Sequence, residues 1–135
     1  MIQLPLITKG KIFVGQTPAL MKRVEASDGT RLLQADVNSI AYTIYDKGDS
    51  LTTPVDSGTG ALSKTSVVFD TLQTDYGWTD SGDSTGYNFR WNCPGTFFEE
   101  AGTTYRIEVV ITDTADKLIP LVFEILTAHL YSQEE

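Results

Sequence analysis

The pentapeptide Gly82-Asp83-Ser84-Thr85-Gly86 matches the G-x-S-x-G pattern of serine hydrolases. A triad in hydrolase order would combine Ser84 with Asp113 or Asp116 and with His129, the only histidine of the chain. That pattern needs a strand before the serine and a helix after it. Here polar loop residues precede Ser84 and the alternating segment YNFRWN follows it, so we expect a turn that leads into a strand, and no enzyme.

Carboxylates near this motif raise the question of a metal site or of glycosidase chemistry. Calcium prefers oxygen ligands, and the acidic stretch offers Asp70, Asp75, Asp80 and Asp83. The EF-hand spacing is not met, because Gly82 and Ser84 stand where side-chain ligands are required. Glu99 and Glu100 are adjacent, so in an extended segment they would point to opposite sides. We expect a solvated acidic loop without metal, and no cofactor.

Four aromatic side chains are candidates for contact with a partner. Tyr76 and Trp78 lie in a polar loop, where they could anchor a protein or stack on a sugar ring, or could fold back over one end of the domain. Phe97 and Phe98 in GTFFEE present the same choice, with one ring expected in the core and the other at an interface. All four are partner-contact candidates.

The elements that must position these residues show a period of two. Three segments alternate apolar and polar residues as strands do: VNSIAYTIYD, GYNFRWNCP and TYRIEVVITD. Only residues 114–117 separate the last of these from LIPLVFEILTAHL, which predicts an antiparallel hairpin. KTSVVFDTL and KGKIFVGQ predict two further strands.

One segment, TPALMKRVEASDG, supports two interpretations. Thr17, Pro18 and Gly29 stand where a short helix would start and stop, but no other long helical pattern is present to pack against it, so we favour a strand. The chain then has about seven to eight strands, which predicts a single all-β domain over residues 1–135, an antiparallel β-sandwich. Residues 46–63 and 73–86 are predicted to be long loops.

Composition narrows the classes of function. Ten Lys and Arg against eighteen Asp and Glu give a net charge of -8, which disfavours nucleic-acid binding. No apolar run is long enough to cross a bilayer and the start lacks the features of an export signal, so we expect a protein made in the cytoplasm and no membrane partner. Cys93 is the only cysteine and is expected to be a partly buried free thiol.

The stretch EEAGTTYRIEV resembles the tyrosine corner of immunoglobulin-like domains, with Tyr105 in the role of the corner tyrosine and Ile107 where antibody domains carry their second cysteine. Residues 37–127 as a whole resemble the immunoglobulin-like structural accessory proteins of tailed bacteriophages, found as capsid decoration proteins and as baseplate or fibre modules. The similarity is one of strand patterning and turn sequences.

This resemblance implies an immunoglobulin-like sandwich and a non-enzymatic virion protein. The expected location is the capsid surface, where the protein would bind the major capsid protein or another virion protein, and self-association at a symmetry axis is a further expectation. The alternatives are a baseplate, tail or fibre module with the same fold, and a carbohydrate-binding module whose loop aromatics stack on sugars.

Overall fold

A computed structural model describes residues 7–26, 28–48, 54–59, 62–74 and 86–129. The described residues form eight strands. They are β1 (Ile7–Phe13), β2 (Ala19–Lys22), β3 (Val37–Asp46), β4 (Asp56–Thr59), β5 (Val68–Gln73), β6 (Tyr87–Asn92), β7 (Thr104–Asp113) and β8 (Leu118–Ala128). One turn of α-helix, α1 (Lys64–Val67), precedes β5, and short 3-10 helices lie at Gln34–Asp36 and Gly95–Phe97. The prediction of a mostly β, sandwich-like protein is confirmed.

The strands form two sheets. The five-stranded sheet has the order β1-β8-β7-β3-β4, and the three-stranded sheet has the order β2-β6-β5. The predicted hairpin is present. β7 and β8 pair antiparallel, from Thr104 opposite Leu126 to Thr112 opposite Leu118. Segment 17–29 contains the strand β2, which pairs with β6, so the helical interpretation was wrong. Within the described ranges, no helix has the length and apolar character needed to span a bilayer.

The sequence predicted a wholly antiparallel sandwich, and this was wrong for one strand, because β1 runs parallel to β8. The chain leaves β1 for the other sheet and reaches β8 only about 100 residues later, so no hairpin sets the direction of β1. The alternation of a strand reports which side chains share a face and says nothing of the neighbouring strand. The direction of β1 relative to β8 could therefore not be predicted from the alternation of its residues.

Two segments differ from the predicted elements. The predicted loop 46–63 contains β4, a short edge strand that pairs with β3 from Ala41 to Ile44. Its sequence, DSGT, has no apolar alternation, so the period of two did not indicate a strand there. KTSVVFDTL begins with a helical turn, since the N–H groups of Ser66 and Val67 both donate to the carbonyl of Ser63.

Alternate residues of the long strands fill the space between the sheets. In β7 every second residue from Tyr105 to Ile111 is buried, as the alternation predicted, and Phe89 and Phe123 stack across the interior at 6.3 Å between ring centroids. Other fully buried members are Leu32, Ile40, Ile44, Val68, Cys93 and Phe98. Since burying one large apolar side chain contributes about 1.5–3 kcal/mol, this shared interior is the main source of stability.

One polar side chain of β6 is buried against the segment that connects β2 and β3. Asn88 is fully buried, and its Oδ1 accepts the N–H of Val24 at 2.7 Å. Its Nδ2 donates to the carbonyls of Val24 at 2.9 Å and Leu32 at 3.1 Å. The amide thus bonds to three backbone groups of the segment between β2 and β3, which fixes that segment to β6.

Candidate functional site

The described residues of the hydrolase interpretation lie at opposite ends of β8. Asp113 is buried at the tip of the β7–β8 hairpin, where its Oδ1 accepts the N–H groups of Ala115 at 2.9 Å and Lys117 at 2.8 Å. Asp116 occupies the left-handed position of the same turn, with φ of 63°. His129 follows the last residue of β8, so the strand separates it from the hairpin by roughly 35 Å. Ser84 lies outside the described residues.

The final glycine of the G-x-S-x-G motif has a structural explanation. Gly86 has φ of 100°, and a Cβ at this position would lie 2.2 Å from the carbonyl oxygen of Gln73. Both the left-handed conformation and the close approach of the two backbones require glycine. The residue lets the chain enter β6 beside the end of β5, and the strand predicted to follow the motif is present.

The described carboxylate candidates lie on the surface, and Asp70 bonds to the backbone. Asp70 is exposed and accepts the N–H of Gln34 at 2.7 Å. Glu99 and Glu100 are exposed and follow the 3-10 helix Gly95–Phe97. Asp75, Asp80 and Asp83 lie outside the described residues, and the described part of the chain contains no cluster of three metal-ligating side chains.

The partner-contact candidates divide into different environments. Phe98 is fully buried and meets Tyr105 edge to face at 5.1 Å between ring centroids, so it is a core residue and was wrongly proposed as a contact. Phe97 is half-buried, 6.4 Å from the ring of Tyr42, which leaves part of its ring accessible. Tyr76 and Trp78 lie outside the described residues.

Tyr105 makes the hydrogen bond that a tyrosine corner requires. Its hydroxyl accepts the N–H of Glu100 at 3.2 Å, five residues upstream and across the connection between β6 and β7. Thr127 of β8 reinforces this corner, since its buried hydroxyl donates to the carbonyls of Glu100 and Thr103 and accepts the N–H of Thr103. The connection that carries Phe97 and Phe98 is thereby held to the five-stranded sheet.

A cluster on the inner side of β3 and β4 has strongly shifted pKa values. The hydroxyl of Tyr42 donates to Asp56 at 2.5 Å, and this bond, together with burial, raises the pKa of Tyr42 to about 12. Burial also raises the pKa of the Cys93 thiol to about 12, with a smaller effect of the Asp56 charge. Both groups are therefore protonated at neutral pH, and Cys93 is a fully buried thiol rather than a partly buried one.

The outer face of the five-stranded sheet was not predicted as a site. Alternation places four large apolar side chains of β1 and β8 on this face, and all are exposed: Ile7 at 44%, Phe13 at 42%, Leu118 at 67% and Leu126 at 40%. Surface apolar residues that cluster on one face are typical of protein contacts. The sequence does show apolar residues at outward positions of both segments. Only the pairing of β1 with β8 shows that these residues lie on the same face.

A charged network lies between these apolar side chains. Glu124, only 6% exposed, accepts a hydrogen bond from Lys47 at 3.1 Å and a weaker contact from Arg106 at 3.4 Å. The bond from Lys47 lowers the pKa of Glu124, whereas burial opposes that shift. Arg106 also pairs with Glu108 at 2.6 Å, and Lys9 stands opposite Glu124 in the register of β1 and β8. The face is thus mixed apolar and charged, and its carboxylates Glu108 and Glu124 are paired.

Comparison of the chain with models of known protein families, with curated proteins and with solved structures found no match in any of the three.

Proposed function

We propose that this protein is a non-enzymatic, immunoglobulin-like structural module of a tailed-phage virion that docks on the capsid as a decoration protein. The observation that carries the proposal of a docking module is the outer face of the five-stranded sheet. There Ile7, Phe13 and Leu126 are each at least 40% exposed around a charged network. A rigid sheet that presents apolar side chains among paired charges is suited to a protein interface.

The strand order supports the immunoglobulin-like assignment. Lettering β2 to β8 as B, C, C′, D, E, F and G gives the neighbours B-E-D in one sheet and G-F-C-C′ in the other, as in variable-type immunoglobulin domains. The tyrosine corner at Tyr105 lies at the start of F, where those domains carry it. The first strand departs from the constant-type pattern, because β1 lies beside G instead of beside B.

The assignment to a virion depends on the resemblance of residues 37–127 to accessory proteins of tailed phages. The net charge of -8 is consistent with this role, because it would repel packaged nucleic acid and keep the protein soluble before it docks. A subunit that binds only the assembled lattice stabilises that lattice by mass action. The major capsid protein is therefore the proposed partner.

Sedimentation tests this function. The purified protein is mixed with mature capsids, empty capsids and tails of its source virus, and each particle is pelleted. We expect saturable binding to capsids. Binding to tails alone would transfer the protein to the baseplate or fibre class, and binding to none of the particles would contradict a virion role. Addition of monosaccharides and oligosaccharides to the same samples tests the carbohydrate-binding alternative, because a sugar site would release the protein from the particle.

A further inference from the structure

The outer edge of β1 is an open sheet edge within the described residues. β1 pairs with β8 on one side, and each of its residues except Ile12 is exposed. The N–H of Val14 donates to the carbonyl of Ala128, so the even-numbered residues of this strand direct their backbone groups toward β8. The odd-numbered residues therefore direct their N–H and C=O groups away from the sheet.

The end of this edge is closed by a side chain. The N–H of Phe13 donates to Oε1 of Gln16 at 2.8 Å, and the carbonyl of Phe13 accepts the N–H of Gln16. That arrangement is independent evidence that Phe13 faces away from β8. The backbone groups of Ile7, Lys9 and Lys11 are then the ones left to pair with an added strand, over a length of about 13 Å between the first and last of them.

The charges beside this edge are basic in an acidic protein. Lys9 and Lys11 stand on the outer face of β1, while the neighbouring carboxylate of Glu124 is already paired with Lys47 and Arg106. The chain as a whole has a net charge of -8, so this strip differs in sign from the average surface. Charge complementarity across an edge therefore favours an acidic partner strand.

A second copy of the chain does not fit this edge. If two β1 strands paired antiparallel about Gly10, Lys9 of one copy would lie opposite Lys11 of the other, and the reverse. Like charges directly opposite each other destabilise a strand pair, and edge lysines are a common device against such pairing. The lysines thus disfavour self-association through β1, but they accept a strand with carboxylates at the same spacing.

We propose that the β1 edge binds an extended segment of a partner protein, which adds to the five-stranded sheet as a sixth strand. The segment carries acidic residues at two alternate positions, opposite Lys9 and Lys11, and apolar residues two positions further out on each side, opposite Ile7 and Phe13. The sequence class is apolar-x-acidic-x-acidic-x-apolar. Backbone hydrogen bonds supply the affinity of such strand addition, and the alternate side chains supply its specificity. As a binding surface on the virion, this edge rests on the proposed function.

A peptide titration tests the edge without any virus particle. The probe is the capped heptapeptide Val-Thr-Glu-Thr-Glu-Thr-Val, added to ¹⁵N-labelled protein, and the readout is the shift of the β1 amide resonances. The controls are the same peptide with lysine in place of glutamate, and a scrambled peptide of identical composition, Glu-Glu-Thr-Thr-Thr-Val-Val. We expect saturable shifts confined to β1 and β8 with the first peptide. Equal binding of the scrambled peptide, or no shift at millimolar concentration, would overturn the proposal.

Two variants separate backbone pairing from charge. Lys9→Pro removes an outward N–H without removing a bond to β8, and we expect loss of peptide binding. Lys9→Ala keeps that N–H and removes only the charge, so it should weaken binding a few-fold. Lys9→Glu with Lys11→Glu should weaken it by roughly tenfold or more. Unchanged affinity in the double charge reversal would overturn the proposal even if the proline variant failed to fold.

Sedimentation of the same variants distinguishes this inference from the proposed function. If wild-type protein and the double charge-reversal variant pellet equally with capsids, the capsid role stands and the β1 edge is not its docking surface. If wild-type protein pellets with no particle but binds the acidic peptide, the edge stands and the virion role fails. Loss of capsid binding in the double variant, with wild-type thermal stability, supports both.

Discussion

Asn88 and Glu124 are both buried polar side chains, yet their environments differ in kind. Asn88 belongs to the three-stranded sheet, is fully buried and neutral, and makes three hydrogen bonds to backbone groups. Glu124 lies on the outer face of the five-stranded sheet, is charged, and is covered by Lys47 and Arg106. Asn88 bonds to backbone atoms, and Glu124 bonds to the ends of long side chains.

This difference determines what each side chain does for the fold. Removal of Asn88 leaves backbone groups buried that cannot move to water, whereas removal of the Glu124 charge leaves cations whose ends can reach solvent. The neutral site should therefore contribute more to stability and be independent of pH. The charged site should contribute less, and its contribution should depend on pH and on salt.

The largest expected effect is that of Asn88→Leu. The buried N–H of Val24 and carbonyl of Leu32 would lose the partner that Asn88 supplies, while the carbonyl of Val24 would keep only the N–H of Leu32. We therefore expect a loss of about 3 kcal/mol or more in the free energy of unfolding. Urea denaturation measures it. The matched control is Asn92→Leu, at an exposed position of the same strand, which should change stability by less than about 0.5 kcal/mol. Equal effects of the two changes would contradict the bracing role of Asn88.

An intermediate effect is expected for Tyr105→Phe, which removes one neutral hydrogen bond and keeps the ring. Loss of the bond to the N–H of Glu100 should cost about 1 kcal/mol. Tyr45→Phe on the outer face is the control and should be close to neutral. A result near that of Asn88→Leu would mean that the number of bonded backbone groups does not set the cost at these neutral sites.

Glu124→Gln tests the charged member of the pair. Its pKa is lowered in the folded protein, so its ionic contribution is fully present above the ordinary value of 4.5 and is lost as the pH falls through the lowered pKa. We expect the variant to be less stable than the wild type by about 1 kcal/mol at pH 7, with the difference decreasing below pH 4.5 and in high salt. Denaturation at several pH values measures this. A difference that persisted unchanged in acid would refute the ionic explanation.

The smallest effect is expected for Lys47→Ala. The Lys47 side chain is 44% exposed, and Arg106 remains beside Glu124 after the change, so the loss should be within about 0.5 kcal/mol. Thermal denaturation of this variant and of Lys117→Ala, at the exposed hairpin turn, makes the comparison. A cost above that of Glu124→Gln would show that Lys47 stabilises the fold through its hydrocarbon stem.

The alternation of apolar and polar residues predicted the fold correctly for strands that have only one face on the core. The alternation of Tyr105 to Ile111, and of Ile40 to Ile44, identified the inner faces of β7 and β3, because each strand has one face on the core. The alternation in GYNFRWNCP assigned Asn88 to the outer face of β6, and a residue with three buried bonds was thereby missed. Its partners lie more than 50 residues away in sequence, so no local signal pointed to them.

The candidate site was less accessible to sequence reasoning. Phe97 and Phe98 were correctly expected to differ, but period alone could not say which ring enters the core, since the 3-10 helix Gly95–Phe97 interrupts the extended chain. The exposed side chains Ile7 and Leu126 share one face only because β1 pairs with β8, which is more than 100 residues away in sequence. Such long-range pairing has no signature in either segment.

Because Cys93 is buried, its reaction rate reports how often the strands around it open. Its N–H donates to the carbonyl of Pro18 at 3.0 Å, at the junction of β2 and β6, and its protonated thiol is unreactive there. An alkylating reagent can therefore modify the folded protein only when these strands separate. The rate of modification therefore measures how often these strands open, and the same opening limits oxidation of the Cys93 thiol.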